Sequence, residues 1–143
     1  MLKSTVSILA TLTFLAGHPE VSSANLESGL YELETQTLLP HLDEMRRKIS
    51  TATICVKKDN LKQLFPIFTQ PGLRDCYFRQ YAAEKDLTLF QLQCPGQNGA
   101  RGRAKLERQT AGIKASLDAK LGGKNMTFTQ FTRAKRVGVC KPK

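Results

Sequence analysis

Between residues 100 and 121 the chain alternates, position by position, between small or apolar side chains and polar ones. Ala100, Gly102, Ala104 and Leu106 are interleaved with Arg101, Arg103, Lys105 and Glu107. Ile113, Ala115, Leu117, Ala119 and Leu121 are then interleaved with Lys114, Ser116, Asp118 and Lys120. An extended chain with one wet face reads this way, because successive side chains on a strand point to opposite faces. The apolar set moves from even to odd numbers, so the intervening turn must preserve that parity. A two-residue Ala111-Gly112 turn does so and sets Lys105 across from Asp118.

The same period recurs elsewhere. Tyr31 to Thr37 places Tyr31, Leu33, Thr35 and Thr37 on one face and Glu32, Glu34 and Gln36 on the other, and Lys48 to Val56 is rich in β-branched residues. Between them, Leu39 to Arg47 reads as a loop or a turn of helix. Asp59 is placed to cap a short helix from Asn60 to Phe65 that Pro66 interrupts, and Pro71-Gly72 marks a turn. Turns are also expected at Pro95 to Gly99 and at Gly122 to Asn125. In the last strand, Met126 to Cys140, Phe131 falls out of phase, which predicts a bulge or a change of facing near Gln130. The expected fold is all-β: a mostly antiparallel meander of about seven strands, curved or barrel-like, with one short helix.

Lys3, the apolar run from Val6 to Ala16 and the small residues Ser22-Ser23-Ala24 have the order of a secretory signal peptide. This predicts a leader over residues 1–24, a single disulfide-stapled domain over 25–143, and a periplasmic or secreted location. The apolar run is shorter than the roughly 20 residues that span a bilayer, so no transmembrane anchor is expected. In an oxidising compartment the four cysteines read as two disulfides. Cys76 to Tyr81 and Leu87 to Cys94 are strand-forming segments flanking Glu84-Lys85-Asp86. With Lys85 at the centre of that hairpin, Cys76 faces Cys94, Phe78 faces Leu92 and Tyr81 faces Leu89. Cys55 is then left for Cys140.

The chain carries 22 Lys and Arg against 12 Asp and Glu, a formal charge of +10. Strand parity gathers Arg101, Arg103, Lys105, Lys114 and Lys120 on one sheet face, joined by Arg133, Lys135 and Arg136 from the last strand and partly neutralised by Glu107 and Asp118. Such a face attracts anionic lipid, lipopolysaccharide or acidic polysaccharide, and these are the expected partners. Nucleic acid is not expected, because no aromatic row accompanies the basic one. His41 is the only histidine after residue 24 and has no clustered partner, and no nucleophile elbow or phosphate loop is present. No metal, cofactor or enzymatic activity is therefore expected. Asn125-Met126-Thr127 formally matches a glycosylation acceptor. A second reading is a barrel-like carrier whose interior, lined by Leu89, Leu106 and Leu117, holds a small lipophilic ligand.

Gly29-Leu30-Tyr31-Glu32, the four spaced cysteines and the closing Arg136-Val137-Gly138-Val139-Cys140 resemble a bacterial exported family known only as domain of unknown function family 3617. The resemblance spans nearly the whole chain after residue 24. Tyr31 stands where the family typically has Trp, Val139 stands where it has Asp, and a Met- and Pro-rich segment often found after the first strand is absent. The resemblance implies a periplasmic setting in a Gram-negative bacterium and a domain without assigned activity, and it supplies no catalytic residues.

Overall fold

The alternating segments do form strands. The computed structural model describes residues 26–39, 49–96, 99–122 and 126–142. Its strands are β1 (Gly29–Leu38), β2 (Ile49–Val56), β3 (Tyr77–Glu84), β4 (Leu87–Gln93), β5 (Arg101–Gln109), β6 (Gly112–Leu121) and β7 (Met126–Gly138). All pair antiparallel in one seven-stranded sheet, ordered β2-β1-β7-β6-β5-β4-β3. The sheet does not close. Its edges are β2 and β3, so the barrel-like form of the expected fold is not adopted.

The segment between those edges builds the core. Residues 57–76 leave β2 at one edge and enter β3 at the other through three short 3-10 turns, Leu61–Leu64, Pro66–Thr69 and Pro71–Leu73. Leu61, Leu64, Phe65, Phe68 and Leu73 are buried in one cluster with inner-face residues that include Tyr31, Leu33, Phe90, Leu92, Leu106, Leu117 and Phe128. Phe65, Phe68 and Phe78 contact one another, and Phe78 also meets Phe90, with ring centroids 5.4–6.4 Å apart. The Ile67 N–H donates to Gln130 Oε1 on the central strand β7 at 3.4 Å. An antiparallel sheet with one apolar face must cover that face, and here the chain's own crossing segment does so. Gly102 is required where two strands come close: a Cβ there would collide with the Asp118 carbonyl oxygen.

Both expected disulfides form, Cys76–Cys94 with a Cα separation of 4.1 Å and Cys55–Cys140 with 5.5 Å. Each staples one edge strand's end to the rest of the fold.

Local details differ from expectation for identifiable reasons. No α-helix follows Asp59. Its Oδ1 accepts from the Leu26 N–H at 3.1 Å and its own N–H donates to the Leu26 carbonyl at 2.9 Å, so it ties down the chain start instead of capping. The first 3-10 turn, Leu61–Leu64, ends before Pro66, which opens the next. In the β3–β4 hairpin, Cys76 and Phe78 hold the expected register, but a bulge between Gln80 and Ala82 sets Leu89 opposite Ala82 and not Tyr81. The turn itself is Lys85-Asp86, with Lys85 at φ 46. In the β5–β6 hairpin the turn is Thr110-Ala111, which moves Asp118 opposite Arg103 and sets Lys105 opposite Ser116. Gly112 is not in that turn but opens β6 at φ +145, where a Cβ would lie 2.5 Å from the Ala134 carbonyl oxygen.

Neither a bulge nor a change of facing occurs near Gln130. β7 keeps strict parity from Phe128 through Ala134, burying Gln130 (3% exposed) and presenting Phe131 (45% exposed) to the outside. Gln130 is tolerated in the core because its amide is bonded at both ends: Nε2 donates to Thr37 Oγ1 at 2.9 Å, and Oε1 receives the Ile67 N–H. The register irregularity in this region lies instead between Leu30 and Tyr31. Of the side chains expected to line a ligand-holding interior, Leu106 and Leu117 are buried under the crossing segment, whereas Leu89 is on the other face beside Lys105. The expected leader over residues 1–24, the loop holding Pro40, His41 and Asp43, part of the Pro95 to Gly99 turn and Asn125 lie outside the described residues.

Candidate functional site: a basic sheet face

Register fixes which outer-face side chains are neighbours. Reading across the strands, one row runs Thr127, Lys120, Arg101, Gln93, Tyr77, and the next Leu38, Thr129, Asp118, Arg103, Gln91, Arg79. A third runs Ile49, Gln36, Phe131, Ser116, Lys105, Leu89. A fourth runs Thr51, Glu34, Arg133, Lys114, Glu107, Leu87, Glu84, and the last pairs Thr53, Glu32 and Lys135. Directly opposed side chains in such rows have Cβ atoms about 5 Å apart. All seven predicted anion-binding residues, Arg101, Arg103, Lys105, Lys114, Lys120, Arg133 and Lys135, therefore share one face. Arg136 does not. It pairs with the inner-face Tyr31 after the β1–β7 irregularity, and its Nε donates to the Ser28 carbonyl at 3.2 Å.

The face divides in two by charge. Toward the β5–β6 turn, Lys105, Lys114, Arg133 and Lys135 share three rows with Glu32, Glu34, Glu84 and Glu107, four cations against four carboxylates. Arg133 Nη1 lies 3.6 Å from Glu34 Oε1, and Lys105 Nζ lies 3.3 Å from Glu107 Oε1. Toward Arg101, the two remaining rows hold Arg79, Arg101, Arg103 and Lys120 against Asp118 alone, whose Oδ1 accepts the Thr129 hydroxyl at 2.6 Å. The positive field is therefore concentrated at one end. Arg79 belongs to that end and was not predicted; its parity with Tyr77, combined with the Gln91 and Arg103 register, is the signal that places it there. Tyr77 closes the row at the edge, 53% exposed, with its hydroxyl donating to Gln93 Oε1 at 2.8 Å.

A family model described as "Protein of unknown function (DUF3617)" matches residues 26–140. The chain belongs to this family. No curated protein and no solved structure matches it. The DUF3617 match spans every strand and all four cysteines. Tyr31, where the resemblance noted above has Trp, fills an inner-face position at 3% exposure, and its hydroxyl reaches the Glu27 carbonyl at 3.0 Å. A large ring is needed there, and the phenol adds a hydrogen bond at the end of it. Among the described residues no helix is long and apolar enough to cross a membrane.

Proposed function

We propose that this DUF3617 member is an exported, non-catalytic domain that binds anionic envelope components through the Arg101 end of its outer sheet face. Anionic phospholipid, lipopolysaccharide and acidic polysaccharide share the chemistry required: closely spaced negative groups that replace the counterions of Arg79, Arg101, Arg103 and Lys120. The supporting observation is the division of the face, four cations against one carboxylate at this end and four against four at the other. Export is supported by the signal-like order of residues 1–24 and by two disulfides, which persist in oxidising compartments.

Vesicle co-sedimentation tests the reading. Binding to vesicles containing phosphatidylglycerol, and not to phosphatidylcholine alone, should weaken as salt rises. A basic residue near an anionic surface contributes about 1 kcal/mol, so the triple variant R101S/R103S/K120S should bind about 100-fold more weakly. The matched variant K105S/K114S/R133S should lose far less. Equal losses, or binding indifferent to salt, would remove the basis of the proposal.

A further inference from the structure

Phe131 and Ile49 are the large apolar side chains left exposed on this part of the outer face, at 45% and 55% exposure. They stand in one row, Phe131 flanked by Gln36 and by the small Ser116, which leaves its ring uncovered. This row floors a depression of about 470 Å³ whose sides carry Lys105, Lys114 and Arg133 together with Glu34 and Glu107. Through Glu34, Lys114 and Arg133 it continues into a second depression of about 730 Å³ beside Lys135, lined by polar and apolar side chains alike, Thr51 and Thr53 with Ile113 and Ala111. Volumes of about 300–1,000 Å³ are those of small-molecule sites.

The charges around the apolar floor are specific in placement. Lys114 and Arg133 are directly opposed on β6 and β7, a like-charge pairing that a ladder disfavours. Ion pairs run outward from this pair or beside it, Arg133 to Glu34 at 3.6 Å and Lys105 to Glu107 at 3.3 Å. An anion seated between Lys114 and Arg133 would relieve their repulsion. Phe131 lies two residues from Arg133 along β7, about 7 Å, so an apolar body attached to that anion would reach the ring.

We infer that this depression binds a single-headed amphipathic anion of the fatty-carboxylate type, its head between Lys114 and Arg133 and its apolar body along Phe131 and Ile49. The site uses the charge-balanced end of the face, so it is independent of the vesicle-binding end and stands or falls separately. It also places a lipophilic ligand outside the sheet, opposite the face that the crossing segment covers.

The probes are 1-anilinonaphthalene-8-sulfonate, an aromatic anion whose emission rises on binding, and dodecanoate and dodecanol as competitors below their aggregation concentrations. The chain contains no Trp to interfere with the emission. Dodecanoate should displace the dye while dodecanol displaces it about tenfold less well, reporting the head. Phe131→Ser and, separately, Ile49→Ser should each weaken dodecanoate binding, about tenfold for Phe131, and both variants should still bind anionic vesicles as the parent does. R101S/R103S/K120S should retain the dye. The inference is overturned by dye binding that survives Phe131→Ser and Ile49→Ser unchanged, or by dodecanol competing as well as dodecanoate.

Discussion

Gln130 and Phe131 are consecutive on β7, and they occupy opposite faces of one sheet in the reverse of the order hydropathy suggests. The amide is buried and the ring is exposed. On the inner face every position is decided by what it touches: Leu117 is fully buried, Thr35 and Thr132 share a hydrogen bond at 3.3 Å, and Gln130 is bonded to two segments remote in sequence. On the outer face, neighbours are set by register alone and most side chains end in water. The difference separates two roles. The inner face is where a substitution changes stability, and the outer face is where it changes what the surface attracts.

The sharpest test of that separation is Leu117→Ala. Deleting this side chain from a closed core should cost about 2–5 kcal/mol, read as a fall in the urea midpoint. Lys120→Ser, two pleats away on the other face, should stay within about 0.5 kcal/mol. A comparable loss for both would end the comparison. Next in size is the Gln130 and Phe131 pair itself. Gln130→Ala strands the Thr37 hydroxyl and the Ile67 N–H and should cost about 1–3 kcal/mol. Phe131→Ser should cost clearly less despite removing the larger apolar group, and the opposite ranking would show that the ring is part of the core.

The smallest expected effect is a dependence on pH. Burial pushes the Tyr31 phenol above its ordinary pKa of 10.0, with nearby Arg136 working the other way and Glu27 reinforcing the rise. The unfolded phenol therefore ionises first as pH rises past 10.0, and the folded state holds the proton longer. Stability linked to this group is complete below the unfolded value and is lost as pH climbs through the folded one. Urea midpoints measured across that range should fall for the parent and fall less steeply for Tyr31→Phe.

Strand identity was legible because parity is a local property: the inward sets of β1, β5 and β6 are the ones that alternation selects. The Cys76–Cys94 pairing was legible for the same reason, since the register at that end of the hairpin precedes the bulge. Other features depended on contacts that no window of sequence contains. Phe131 looked out of phase because the partners that make Gln130 acceptable inside, Thr37 and Ile67, come from β1 and from the crossing segment. Asp59 looked like a cap until Leu26 claimed it. The clustering of cations on one face followed from parity, but their division into balanced and unbalanced ends did not. That division requires β1, with Glu32 and Glu34, to lie beside β7, a pairing between the first and last strands of the sheet.

The same pairing governs how the protein comes together. β7 joins the β1–β2 hairpin to the β3–β6 meander, so the strand made last of these seven lies inside the finished sheet and not at its rim. Until it is made, the chain holds two separate pieces, each with an open edge, and the long-range contact that unites them is the slow kind to form. A chain that stops short of Met126 would therefore lose far more than a border strand, because it would be cut through the centre.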